Sequence, residues 1–300
     1  MTPEATTHSG HRAAGTAAVA AAMALFGVNN VLVRQMTVTG LATATWRLWL
    51  GTAAMLVALR VAGRRLSWGG LRTAVPGGIA YGASIWLFFA AFKATSITNA
   101  SLISALQSGL TLTVVGRLFG ERVRGADIAL TGVATAGVAL VIVGAGEGGT
   151  ASLRGDLLAA GGVLASTVYF VAAKQARRSE PAAEYQAGLL VVSAVATTVV
   201  MFAGRQGLGQ PTGADWARLA VLSVGGSAGH LGINWAHRHV PLVTSSLLTL
   251  AVPVVASATA WAVLDERITP LQWLGALVTL GALALVILRA VRGEAPEPVG

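Results

Sequence analysis

Ten apolar runs of about twenty residues, separated by short charged, glycine- or proline-bearing connections, constrain this chain more than any other feature. A hydrocarbon layer of about 30 Å needs roughly 20 helical residues to cross it, and every backbone polar group inside that layer must be satisfied within its own element. The runs are Gly15 to Val33, Leu41 to Val61, Thr73 to Phe92, Ile97 to Phe119, Ala126 to Val143, Leu157 to Ala173, Ala187 to Ala203, Leu219 to Ala236, Leu242 to Leu264 and Leu271 to Leu288. Of 300 residues 54% are hydrophobic and 11% charged, which excludes an ordinary water-soluble globule. The expectation is an all-α, multi-pass membrane protein. The polar start Met1 to Arg12 precedes a run too long for a signal-peptide core, so the first run reads as a retained span. The segment Arg289 to Gly300, rich in Pro and Glu, reads as a disordered tail.

The net charge of +9 does not mark a nucleic-acid surface, because the basic residues sit in the connections. With the N-terminus in the cytoplasm, fourteen Lys and Arg fall on the inner side and six on the outer, while Arg47 lies within the second span. This bias predicts both termini cytoplasmic in a cell inner or plasma membrane. The absence of cysteine removes disulfides, thiolate chemistry and Cys-based metal sites.

The two halves resemble each other. A shift of 145 places Ser101-Leu102 on Ser246-Leu247, Glu121-Arg122 on Glu266-Arg267, and 139 to 142 (Ala-Leu-Val-Ile) on 284 to 287. A shift of 140 places Arg34-Gln35 on Lys174-Gln175. Five spans per half is an odd number, so the halves lie in opposite orientations: an inverted pair of units, 1–145 and 146–300.

This pattern resembles the EamA-type transporters of the drug/metabolite transporter superfamily. The residues that carry the likeness are the stretch Phe26-Gly27-x-Asn29-Asn30, Arg47 in the second span, the run Phe119-Gly120-Glu121-Arg122, and Pro253 followed thirteen residues later by Glu266. The resemblance implies a ten-helix transporter of small metabolites, often amino acids, that rocks one helix group against another and exports its substrate. Such repeats commonly carry a proline in the fourth helix as well, and here Ser108, preceded by Gln107, stands at the position matching Pro253.

Polar residues inside a membrane are costly and become site candidates. All twelve acids fall in tails, connections or span ends, so no buried relay for protons or sodium is expected, which favours facilitated movement. Glu121 and Glu266 are read as structural, pairing or capping near the interface. Arg47 either recognises a substrate carboxylate with its guanidinium fork or snorkels to the interface. Pro253 frees the carbonyl of Thr249, and Ser104, Gln107 and Ser108 offer matching polar groups in the first half, either toward a cavity or as a local kink with back-bonded serines.

Asn29, Asn30 and Tyr169, with His230 and Asn234 four apart on one face, form a polar lining or join helices to one another. Trp46, Tyr81, Trp86 and Trp235 form aromatic walls, an interfacial belt or core packing. A central cavity is expected among spans 1 to 4 and 6 to 9, with spans 5 and 10 as scaffold or dimer surface, giving a monomer or homodimer without cofactor. Gly225-x-Ser227-x-Gly229 followed by His230 matches a serine-hydrolase elbow in letters only, since an apolar helix supplies no strand-to-helix turn. His237-x-His239 lacks further ligands for a metal. The competing readings are a multidrug exporter of hydrophobic cations and an intramembrane hydrolase.

Overall fold

The computed structural model describes the backbone of residues 3–110, 118, 125–146, 152–176, 181–236 and 250–294; within α1 and α8 side chains are described from Ala17 and up to Gly225 respectively. Among the described residues there are ten helices and no strand: α1 (Pro3–Arg34), α2 (Gly40–Val61), α3 (Trp68–Ala94), α4 (Ile97–Leu110), α5 (Gly125–Gly146), α6 (Leu153–Ala176), α7 (Ala182–Ala203), α8 (Gly213–Ala236), α9 (Ala251–Leu264) and α10 (Pro270–Glu294). Each corresponds to one of the ten apolar runs. Two differences stand at the termini. α1 starts well before the first run, and α10 continues to Glu294, past the expected start of the tail. Residues 295–300, the rest of the expected tail, lie outside the described residues.

Helix starts are written in local chemistry. Thr39 caps α2 by accepting from the Ala42 N–H at 3.2 Å, and Ser67 caps α3 by accepting from the Gly70 N–H at 2.9 Å. The helices alternate in direction, so the connections after α1, α3, α5, α7 and α9 gather at one end, here called distal, and the others at the proximal end.

Packing between the halves follows the duplication. α3 lies against α6 as α1 lies against α8; α3 meets α7 as α8 meets α2; α4 meets α6 as α9 meets α1. α5 and α10 form their own pair. Small residues allow these approaches: a Cβ on Gly78 would stand 2.5 Å from Val192 Cβ, and one on Gly275 would stand 2.5 Å from the Gly137 carbonyl oxygen. The outer surface carries large apolar side chains, among them Phe202 at 71% exposure, Leu277 at 67% and Leu157 at 63%. Such a surface suits hydrocarbon, not water. Among the described residues four helices are long and apolar enough to cross a membrane on length and composition alone, in α1, α3, α6 and α7.

Candidate functional site

The distal end is held by three buried carboxylates. Glu266, just past α9, accepts from the backbone N–H of Ile97 at 2.9 Å and of Thr98 at 3.0 Å, so it closes the N-terminus of α4. Two orphan donors and a favourable helix end are satisfied by one anion. Asp156 in the first turn of α6 accepts from Thr95 Oγ1 at 2.8 Å and lies 3.4 Å from Asn99 Nδ2, and Gln272 of α10 donates to Asn99 Oδ1 at 3.1 Å. Asp215 in the first turn of α8 accepts from the N–H and hydroxyl of Thr37 across the α1–α2 connection, and from Thr212. Burial alone would raise the Asp215 carboxyl, but the donors from Thr37 and Thr212 outweigh it and hold the group below the ordinary carboxylate range.

Basic residues complete this closure by exchanging helix ends. Arg34, the last residue of α1, donates to the carbonyls of Phe92 (3.1 Å) and Thr95 (2.6 Å) at the end of α3. Lys93 near the end of α3 donates to Met36 O, just past α1, at 2.5 Å. Asp156, Asp215 and Glu266 stand at helix ends, as expected of the acids, yet are buried there, at 4%, 0% and 8% exposure. The physical reason is that residues in connections are drawn inward when helix N-termini need an acceptor. Part of the signal was local. Thr212-x-x-Asp215 and Thr269-x-x-Gln272 are reciprocal capping boxes, with Thr269 N–H donating to Gln272 Oε1 at 2.9 Å and Gln272 N–H to Thr269 Oγ1 at 3.2 Å.

Deeper in the bundle, the predicted site residues divide by whether the fold uses their polar groups. Asn30 Nδ2 donates to Ser101 Oγ at 3.1 Å, and Ser104 Oγ back-bonds to the Ser101 carbonyl at 2.7 Å. Trp46 donates to the Leu208 carbonyl and stacks edge-on to Trp216 at 5.0 Å, which places it in a contact at the distal end, among α2, α8 and the loop before it. Tyr81 and Tyr169 lie 5.0 Å apart between α3 and α6, in an apolar cluster with Tyr185 and Leu189.

Four candidates keep polar groups unspent among the described residues. The Arg47 guanidinium sits 5.4 Å from the centroid of Phe89 on α3, with no carboxylate paired to it. It is turned into the bundle and half-buried. Trp86 shares that face of α3, three residues before Phe89, and is also half-buried. Gln107 of α4 is half-buried without a hydrogen-bond partner, and the Asn29 side-chain oxygen is buried without one. Arg47 and Trp86 lie seven and eight residues from the distal ends of their helices, about 10 and 12 Å at a rise of 1.5 Å per residue, and so share a depth. The unpaired Arg47 cation and the Trp86 indole donor are groups able to receive a carboxylate, the Gln107 amide can donate or accept, and the Asn29 oxygen can only accept.

Pro253 is buried near the described start of α9. The side chains of Ser108, His230, Asn234, Trp235 and Ser227, and Thr249, Glu121, His237 and His239 entirely, lie outside the described residues. The backbone from Gly213 to Ala236 is nonetheless one helix, which denies Ser227 the strand-to-helix elbow a hydrolase needs. Pro76, inside α3, is a helix-breaking residue that the sequence reading passed over.

A solved structure described as "Crystal structure of protein" superposes with a TM-score of 0.63 at 21% sequence identity, covering 94% of this chain and 99% of that one, which shows a shared fold. No curated protein matches the chain significantly. The model of the EamA-like transporter family matches residues 13–143 and again 153–288. Two copies of one family unit in a ten-helix bundle whose halves pack reciprocally form an inverted-repeat membrane fold, and the chain is a multi-pass membrane transporter, not an enzyme, belonging to the EamA-like transporter family.

Proposed function

We propose that the protein moves a small metabolite bearing a carboxylate, such as an amino acid, by alternating access, and that it works as an exporter with both termini in the cytoplasm. The observation that carries this reading is Arg47: a half-buried intramembrane guanidinium over Phe89 that no carboxylate among the described residues neutralises. Leaving a cation unpaired inside a membrane protein is costly unless a ligand or water receives it. Trp86, Gln107 and Asn29 would complete the substrate's polar and apolar contacts, and Ser108, His230, Asn234 and Thr249 are further candidates by sequence in the fourth, eighth and ninth spans. The excess of basic residues in the proximal connections supports the orientation. One helix group rocks against another in this scheme, each group drawing helices from both halves, as the packing of α1 on α8 and α9 and of α3 on α6 suggests. A cationic drug finds no counter-charge beside Arg47, so multidrug export is the weaker reading.

Each described buried acid is engaged by helix ends or capping side chains, which supports movement down a substrate gradient. The test is uptake of a panel of labelled amino acids and small organic acids into liposomes, with and without a pH gradient. Uptake that is indifferent to the gradient and is lost in Arg47→Ala supports the proposal. Uptake driven by the gradient would refute the uncoupled mechanism, and movement of cationic dyes alone would refute the substrate class.

A further inference from the structure

A groove of about 220 Å³ runs between α4, α9 and α10, away from Arg47 and its neighbours. Its floor includes Leu102, Pro253 and Ser257, and its rim carries Trp261 and Trp273, exposed to 64% and 56%. Among the described residues no charged side chain lines it. Because the chain is a membrane protein and the rim is open, the groove faces the bilayer, not water. We propose that it holds one glycerophospholipid from the leaflet at the distal end.

The chemistry along the groove follows the order of such a lipid. At the level of the connection between α9 and α10, Arg267 is exposed and makes no ion pair among the described residues, so its guanidinium is available to a phosphate. The connection also holds Asp265, exposed, and Glu266, whose carboxylate is spent on the α4 N-terminus. One step deeper stands Thr98, a groove residue only 2% exposed whose hydroxyl has no hydrogen-bond partner. A buried hydroxyl without a partner is unfavourable, and the ester carbonyl of a lipid supplies the missing acceptor. Trp261 and Trp273, each three residues from the distal end of its helix, stand at the same level, where tryptophan favours the boundary between headgroup and hydrocarbon. Below them the lining is apolar but for Ser257 down to Pro253, eight residues and about 12 Å from Trp261 along α9, a path for an acyl chain. Phosphate, ester and hydrocarbon levels are thus matched by Arg267, Thr98 and the apolar floor. The inference rests on family membership and on the groove, and is independent of the substrate assigned to Arg47.

The test uses the full chain in detergent, titrated with dioleoyl phosphatidylglycerol or with diolein, which has the same chains and no phosphate, and counts bound lipid by native mass spectrometry. The wild type should retain one phosphatidylglycerol in preference to diolein. Ala258→Phe, which fills the groove, should weaken retention about tenfold or more, Thr98→Val severalfold, and Arg267→Gln should remove the preference for the phosphate-bearing lipid. Thr98→Val and Arg267→Gln leave the groove's volume nearly unchanged, so they decide the matter if Ala258→Phe does not fold. Equal retention by all folded variants would overturn the proposal. So would an Ala258→Phe protein that keeps its lipid but loses transport, since the groove would then belong to the substrate's path.

Discussion

The two ends of the bundle use their charges differently. At the distal end Asp156, Asp215 and Glu266 are buried and Arg34, Lys93 and Arg218 are engaged, so the connections there are knotted to helix termini, while Arg154, Arg205, Asp265 and Arg267 stay exposed around them. At the proximal end, among the described residues, Arg60, Arg65 and Arg72 are exposed, and one salt bridge, Arg64 to Glu184 at 2.7 Å, is half open to solvent. The other Glu184 oxygen and the Tyr185 hydroxyl are buried there without partners. Equal charges in a sequence thus do opposite work: one set closes an end, and the other marks a face. Among the described residues it is the distal end that contacts between helix termini close.

The largest expected effect on stability is at Glu266. Glu266→Ala removes a charged acceptor from two backbone donors and should cost about 2 to 4 kcal/mol, measured as a lowered thermal midpoint in detergent. Gly78→Val forces a side chain into Val192 and should cost about 1 to 3 kcal/mol through overpacking of α3 on α7, on the same assay. Asp215→Asn should cost about 1 to 2 kcal/mol at neutral pH, since an amide replaces an acceptor with a donor facing Thr37 and Thr212. Its pH signature has a fixed sign. With the folded carboxyl held below its ordinary value, the stabilisation is present above the ordinary carboxylate range and is lost as pH falls toward the folded value. The stabilities of wild type and Asp215→Asn should therefore begin to approach each other below about pH 4 and meet only as pH nears the much lower folded value. The smallest effect belongs to the proximal end: Arg64→Gln should cost less than about 1 kcal/mol, because its partner pair is partly exposed. A loss at Arg64 comparable to that at Glu266 would erase the contrast between the ends.

Much of the fold was written in the sequence because bilayer thickness fixes span length, so all ten helices follow from apolar run length and its punctuation. The duplication was legible for a similar reason, since Glu121 and Glu266 mark equal positions in two units. The distal closure was less so. Thr212-x-x-Asp215 is a local signal, but the approach of Thr37 to Asp215, or of Glu266 to Ile97, joins segments more than 160 residues apart and has no local trace. The candidate site was legible as a set of residue types and not as a partition. Asn30 and Gln107 look alike in sequence, yet Ser101 occupies the first and nothing described occupies the second. Helices that are apolar nearly all round carry little directional pattern from which to tell the two apart.

The absence of cysteine makes the central claim directly measurable. Single cysteines at Gln107, at Arg65 as a proximal reference and at Gln206 as a distal one would be labelled in sealed vesicles with a membrane-impermeant thiol reagent applied to either side. The account predicts that Gln107→Cys reacts from the side that labels Arg65→Cys, and that a transported amino acid slows its labelling. Reaction of Gln107→Cys from the side of Gln206→Cys alone, unaffected by any substrate, would contradict both the shut distal end and the placement of the site.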